Sequence, residues 1–371
     1  MHFTLHITER CNLNCTYCFT KKKNVDMTID IAQRAIDLAA RLNKNGCGIA
    51  FFGGEPLLKK QLIIDTVNYA KETYPQKQFH YKITTNGILL DMDFIEFAVL
   101  NNIYIAISID GNQKAHDSSR VDANGKASHK VVEAAAKMLL SKMPHAPVMC
   151  TVSTDNVHYF ADSVDYLYNL KFKYIICTPD FSGDWNEKLL RILKKQYIKL
   201  SKFYYKHTIN EDNFYLSPFE VKISSHIHKN SYCHERCELG KESVSVACNG
   251  YIYPCVQFVY EEEYKIGDIK IGIDPKKQQI LFQDNESEKN TCTDCFIKDR
   301  CNHYCACVNK QTTGYINQVS PVLCAHERII LPIADKVAEK LYKKRNGMFI
   351  QKHYNEWYDV LSVAEENLND T

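Results

Sequence analysis

Thr8-Glu9-Arg10-Cys11-Asn12-Leu13-Asn14-Cys15-Thr16-Tyr17-Cys18-Phe19 opens the chain's chemistry, with three cysteines at C-x3-C-x2-C spacing. Three thiolates this close suit an iron–sulfur cluster, and a four-iron cubane held by only three cysteines keeps one iron open to an outside ligand. A zinc site and a set of reduced core thiols are the plainer alternatives. Structural zinc usually takes four protein ligands in paired patterns, and no fourth ligand lies nearby in the sequence.

Around this loop the chain alternates strand and helix. Phe3, Leu5 and Ile7 recur at period two up to the cysteines, and Thr28 is placed to cap an apolar-periodic helix reaching about residue 45. Strands are then predicted at residues 48–52, 79–84, 103–109, 148–153 and 174–178, with helices at 58–73, 91–101, 130–142 and 157–170. Such repeats imply an α/β chain with a parallel sheet and right-handed crossovers. Six units, where a full barrel has eight, predict a partial (β/α)6 barrel.

Parallel barrels carry their chemistry at the carboxyl ends of the strands. The cysteine loop follows the first strand, and Gly53-Gly54-Glu55-Pro56 follows the second. Thr84-Thr85-Asn86-Gly87 ends the third and Ser108-Ile109-Asp110-Gly111 the fourth, with His116-Asp117-Ser118-Ser119-Arg120 close behind. Each alone reads as ordinary turn chemistry or a solvated charge. In barrel order they form a set.

At 371 residues the chain has room for about two to three domains. A net charge of +2 speaks against a nucleic-acid footprint, and no apolar stretch reaches the roughly 18–20 residues that span a bilayer. Sixteen cysteines follow a start without a secretory pattern, so cytoplasmic thiols kept for metal are expected.

A second cysteine group lies at Cys292-x2-Cys295-x5-Cys301-x3-Cys305 and Cys324, preceded by Cys237-x12-Gly250-x4-Cys255. A pair of structural zinc sites would satisfy the same spacing. Cys47, Cys150, Cys177, Cys248 and Cys307 are left over and are expected mostly as small buried apolar residues. The expected domains are a barrel at 1–185, a helical linker at 186–230, a cysteine-rich domain at 231–330 and a helical tail at 331–371. The basic run from Lys188 to Lys206 is expected to be a solvated helix face.

Taken together, the N-terminal cysteines with Tyr17, the Gly-Gly-Glu-Pro turn and the strand-end polar groups resemble the signature of the radical S-adenosylmethionine (SAM) enzymes. The C-terminal spacing, with Gly-Tyr-Ile-Tyr-Pro-Cys at 250–255 and Ile266-Gly267-Asp268-Ile269, resembles the SPASM domains of their peptide-modifying members. The resemblance implies three [4Fe-4S] clusters. Cys11, Cys15 and Cys18 would hold the SAM-binding one. Cys237, Cys255 and Cys305, with Cys233 as a candidate fourth, would hold a first auxiliary cluster, and Cys292, Cys295, Cys301 and Cys324 a second. Tyr17, Gly53, Gly54, Glu55, Pro56, Thr85, Asn86, Ser108, Asp110 and Arg120 would stand close to SAM.

The activity implied is reductive cleavage of SAM to a 5′-deoxyadenosyl radical that takes hydrogen from a ribosomal precursor peptide, with a thioether at cysteine as the expected cross-link. An electron donor such as flavodoxin or ferredoxin is expected, under anaerobic conditions. The anaerobic sulfatase-maturating relatives, which make formylglycine, place a basic aspartate immediately after the cysteine equivalent to Cys255. Here that position is Val256, which cannot accept a proton, so Asp180 after the sixth strand is the candidate base. The rival class is a noncatalytic zinc-binding interaction module, which leaves the N-terminal motifs unexplained. No leader-recognition domain fits before Cys11, so a peptide is expected to be recognised by other surfaces, by the tail or by a separate protein.

Overall fold

The computed structural model describes residues 1–44, 46–228, 237–355 and 357–358. Its first part is the expected alternation: β1 (His2–Thr8), α1 (Ile29–Leu42), β2 (Gly46–Gly53), α2 (Lys60–Thr73), β3 (Gln78–Thr85), α3 (Met92–Leu100), β4 (Ile103–Ser108), α4 (Gln113–Asp117), α5 (His129–Lys142), β5 (Val148–Val152), α6 (Phe160–Asn169) and β6 (Tyr174–Pro179). Helices α1 and α3 start where polar side chains satisfy free N–H groups. Thr28 accepts from Ile31 N at 3.4 Å and Asp91 from Phe94 N at 3.0 Å, each such cap contributing about 1 kcal/mol. Ala32, Ala35, Ile36 and Ala39 are the buried stripe of α1, while Phe3, Leu5 and Ile7 are fully buried in β1.

The strands β1 to β6 pair in order and in parallel, so all their carboxyl ends open on one side. Beyond β6 come α7 (Glu187–Ile209), β7 (Tyr215–Leu216) and α8 (Ser217–Ile227), and β7 adds a short parallel strand to β6. The sheet therefore stays open between its two edges, as in a partial barrel. The run expected as a linker helix carries Leu193, Tyr197, Leu200 and Tyr204 into the same core as the barrel strands.

The chain then crosses to the opposite edge. β8 (Ser243–Val246) pairs in parallel with β1, and β9 (Tyr251–Tyr253), β10 (Gly267–Asp268) and β11 (Gly272–Ile273) continue antiparallel. The described strands form one sheet in the order β11-β10-β9-β8-β1-β2-β3-β4-β5-β6-β7. Short helices α9 (Pro275–Glu286) and α10 (Ala306–Thr313) carry the cysteine-rich turns over a small second core of Tyr253, Phe258, Tyr264 and Leu323. The long α11 (Pro321–Lys343) returns against α7 and α8, followed by α12 (Gly347–Tyr354). Among the described residues no helix is long and apolar enough to cross a membrane.

Candidate active site

The cysteine loop is pinned by backbone bonds to the segment after β4: Asn14 N donates to Val121 O at 2.6 Å and Thr16 N to Ser119 O at 3.0 Å. Its base is tied by Asp26, which accepts from Arg10 Nε at 2.9 Å and Nη2 at 2.6 Å and from Thr8 Oγ1 at 2.6 Å. Cys11 Sγ accepts from Leu13 N at 3.4 Å and from Asn86 Nδ2 at 3.8 Å. Burial pushes the Cys11 thiol up to about 11 and raises Cys15 as well.

The turn after β2 fits against the end of β1. Gly53 has φ +130, and a Cβ there would meet Thr8 O at 2.1 Å; one on Gly54 would meet Arg10 O at 2.2 Å. Gly54 N and Glu55 N donate to those same carbonyls at 2.8 Å. The glycines thus let β1 and the turn approach, while both still line the cavity beside the cysteines. Glu55 is fully buried and holds β2 to β3: it accepts from Thr85 Oγ1 at 2.8 Å, Asn86 N at 2.7 Å and Leu57 N at 3.0 Å. Pro56 starts the following 3-10 turn.

Asp110, 1 % exposed, organises the other wall. It accepts from the Tyr17 hydroxyl and from Thr151 N at 2.9 Å, and Arg120 Nε stands 3.0 Å away. The Arg120 guanidinium also lies 5.4 Å from the Tyr17 ring centre. This charge pair hangs on His116. Ser128 Oγ donates to Arg120 O at 2.7 Å, so the His116 Nε2–H donates to Ser128 at 2.9 Å and Nδ1 is free to accept from Asp110 N at 3.4 Å. Burial, with Arg120 and His129 nearby, drives His116 down to about 2 and keeps it neutral.

A cavity of about 830 Å³ joins these groups to the C-terminal cysteines. Cys11, Cys15, Cys18, Tyr17, Gly53, Gly54, Glu55, Thr85, Asn86, Ser108 and Arg120 line it on the barrel side, and Cys237, Cys301, Cys305 and Cys307 on the other. Asp180 lies between, accepting from Ser182 N at 3.0 Å and Ser182 Oγ at 2.6 Å. The three strand-end thiols open to this cavity, and the buried polar groups at the next three strand ends, lie within residues 5–167, which match the Radical SAM superfamily model. Residues 5–167 of the chain are a radical SAM domain.

Relatives extend the match beyond the barrel. An uncharacterized protein of Methanocaldococcus jannaschii is 33% identical over 241 residues, 63% of this chain and 78% of that one. A cysteine-type anaerobic sulfatase-maturating enzyme of Clostridium novyi is 26% identical over 330 residues, 81% of this chain and 82% of that enzyme. Among solved structures, native anSMEcpe with bound AdoMet and Cp18Cys peptide superposes with a TM-score of 0.78 at 18% identity, covering 91% of this chain and 99% of that one. Streptococcus suis SuiB bound to precursor peptide SuiA does so with a TM-score of 0.60 at 15% identity, covering 87% and 75%. These likenesses establish the fold. Radical SAM proteins bind SAM and a [4Fe-4S] cluster, and the donor set here fits: the three loop thiols all line the cavity, with open volume beside them.

In the C-terminal part of this radical SAM enzyme, Cys237, Cys255 and Cys305 come together, while Cys233 lies outside the described residues. Cys307 joins them, with its Sγ 3.6 Å from that of Cys305. It is buried, as expected of a spare cysteine, and only its C-x-C spacing from Cys305 marks this contact in the sequence. Cys47, Cys150, Cys177 and Cys248 are buried, as expected of apolar fillers. Cys295 and Cys324 are bridged by Arg328, which donates to both sulfurs at 3.4 Å. Burial pushes Cys301 up to about 12, with Cys324 among the nearby charges, and Cys292 stands one tight turn before Cys295. Among the described residues no three His, Cys, Asp or Glu side chains are gathered closely enough to hold a single ion.

Proposed function

We propose that this enzyme is a cytoplasmic maturase of a ribosomally made, cysteine-containing peptide, and that it forms a thioether cross-link. The observation that carries this reading is the cavity shared by Cys11, Cys15 and Cys18 with Cys237, Cys301 and Cys305. When bound, SAM and the cluster at the N-terminal cysteines supply one-electron cleavage to a 5′-deoxyadenosyl radical. Two auxiliary clusters, at the two C-terminal groups, belong to the proposal, as does a flavodoxin or ferredoxin as donor.

The chain's own residues position and exclude. Gly53, Gly54, Thr85, Asn86, Ser108 and Arg120 form the wall against which SAM would lie, and the Asp110 and Glu55 networks fix that wall. Forming the thioether removes one hydrogen atom from a peptide carbon and a proton and an electron from a cysteine S–H. In this reading Asp180, which lines the cavity, takes the proton, and a cluster at the C-terminal cysteines takes the electron.

Formylglycine formation is the second reading, favoured by the named function of the Clostridium novyi relative. Against it, the residue after Cys255 is Val256, and the neighbour that faces the cavity is Gln257, bonded to Gln311. Neither side chain is a base. The test is anaerobic reconstitution, reduction with SAM, and mass spectrometry of cysteine-containing peptides. Deoxyadenosine with loss of two hydrogens and of one free thiol supports the thioether. An aldehyde at the former cysteine supports the maturase of sulfatases, and no deoxyadenosine from fully loaded enzyme overturns both.

A further inference from the structure

Arg328 stands one helical turn after Cys324 on α11, so the two side chains share a face. Its Nε donates to Cys324 Sγ and its Nη2 to Cys295 Sγ, both at 3.4 Å. The guanidinium carbon also lies 5.8 Å from the ring centre of Phe296, which is 83% exposed. A guanidinium fork usually meets two carboxylate or phosphate oxygens. Here it meets two sulfurs from different elements, at the protein surface.

Beside Cys301 lies a charge pair. Lys222 pairs with Glu327 at 2.8 Å, both side chains buried, so that pair brings no net charge to Cys301. The first group is different again: Cys237, Cys255 and Cys305 meet backbone N–H groups and the Cys307 thiol, and no cation is among their described partners. Hydrogen bonds to the sulfurs and local net charge set the potential of an iron–sulfur cluster.

We propose that Arg328 is a positioning residue that makes the second auxiliary cluster easier to reduce than the first, by two charged hydrogen bonds to its thiolates. Electrons released in the cavity then run downhill toward the surface at Phe296. This rests on the reading that Cys292, Cys295, Cys301 and Cys324 hold a cluster.

The experiment is a redox titration of the reconstituted holoenzyme followed by paramagnetic resonance, with iron and sulfide counted in each sample. Arg328→Ala and Arg328→Gln are expected to keep wild-type iron and to shift the oxidised-to-reduced ratio of the more easily reduced auxiliary cluster at least tenfold toward oxidised at a fixed poise, about 59 mV for one electron. Arg328→Lys, which keeps charge without the fork, is expected to fall between. Full iron with an unchanged potential in both the alanine and glutamine variants overturns the proposal. Loss of that cluster's iron from both also overturns it, because Arg328 would then hold the site together rather than tune it. Cys295→Ala tests the underlying reading separately: iron equal to wild type there means that this group holds no cluster, whatever Arg328 does.

Discussion

The cysteine loop after β1 and the cysteine-rich region after β8 hold sulfur in opposite ways. The loop's three thiols rest on a barrel whose strands bury Phe3, Leu5, Ile49 and Ile83 and need no metal to pack. They look into open volume. The C-terminal cysteines sit on turns, helix caps and the first turn of α11, around a second core of eleven buried side chains among the described residues. A core that small draws a larger share of its stability from cross-links or metal. The difference teaches that the two sulfur groups are built on different supports: the barrel presents three thiols to open volume from a large packed core, whereas the C-terminal cysteines are arranged around a small one.

The sharpest way to break this comparison is Cys15→Ala. Deoxyadenosine formation is expected to vanish while far-ultraviolet circular dichroism and the melting temperature of the barrel stay close to wild type; a variant that unfolds would show that the loop cysteines are structural after all. Next in size is the effect of stripping iron with a chelator. Limited proteolysis is expected to cut first between residues 237 and 320, with the barrel fragment protected, and uniform cutting along the chain would remove the contrast.

Within the barrel, Arg120→Ala would strand Asp110 in a site where the two side chains are 9% and 0% exposed. A loss of about 3–5 kcal/mol in urea unfolding is expected, the usual cost of leaving one buried charge without its partner. Arg120→Lys should recover part of it, since the charge returns without the fork.

The smallest effect is in pH. Burial disfavours the charged form of His116 and pushes it from an ordinary 6.5 down to about 2. The unfolded chain therefore binds a proton that the native state refuses, so the contribution of neutral His116 is complete above pH 6.5 and declines as the pH falls below it. The melting temperature of wild type should drop more steeply between pH 6.5 and 5 than that of His116→Gln. Equal slopes would show that His116 is charged in the fold.

Much of this was legible in the residues because it is local. Period-two alternation marked β1, and β2 runs Gly46–Gly53 where residues 48–52 were expected. Asp91 is the cap of α3 rather than its first residue. The helix expected over 157–170 begins as a 3-10 turn at Val157–Tyr159 before α6. Cys307 is buried in the second core, as expected of a leftover cysteine, but two residues of spacing do not reveal that its sulfur also meets that of Cys305. Arg328 carried no signal beyond its distance from Cys324.

By itself the sequence determined the chemistry available: three thiols at a spacing that leaves an iron open, placed after the first of six strand–helix units, and a second sulfur-rich segment far along the chain. These follow from short-range periodicity and spacing, which the backbone enforces wherever the segment ends up. Only the tertiary structure decided that β8 pairs with the free edge of β1 and so brings the second segment to the mouth of the barrel. Likewise, Tyr17, Asp110 and Arg120 meet across 93 and more residues of chain only because β1 and β4 end on the same side of one sheet. Strand pairing between distant segments depends on which hydrogen-bonding edge is left unfilled, and that is a property of the folded sheet.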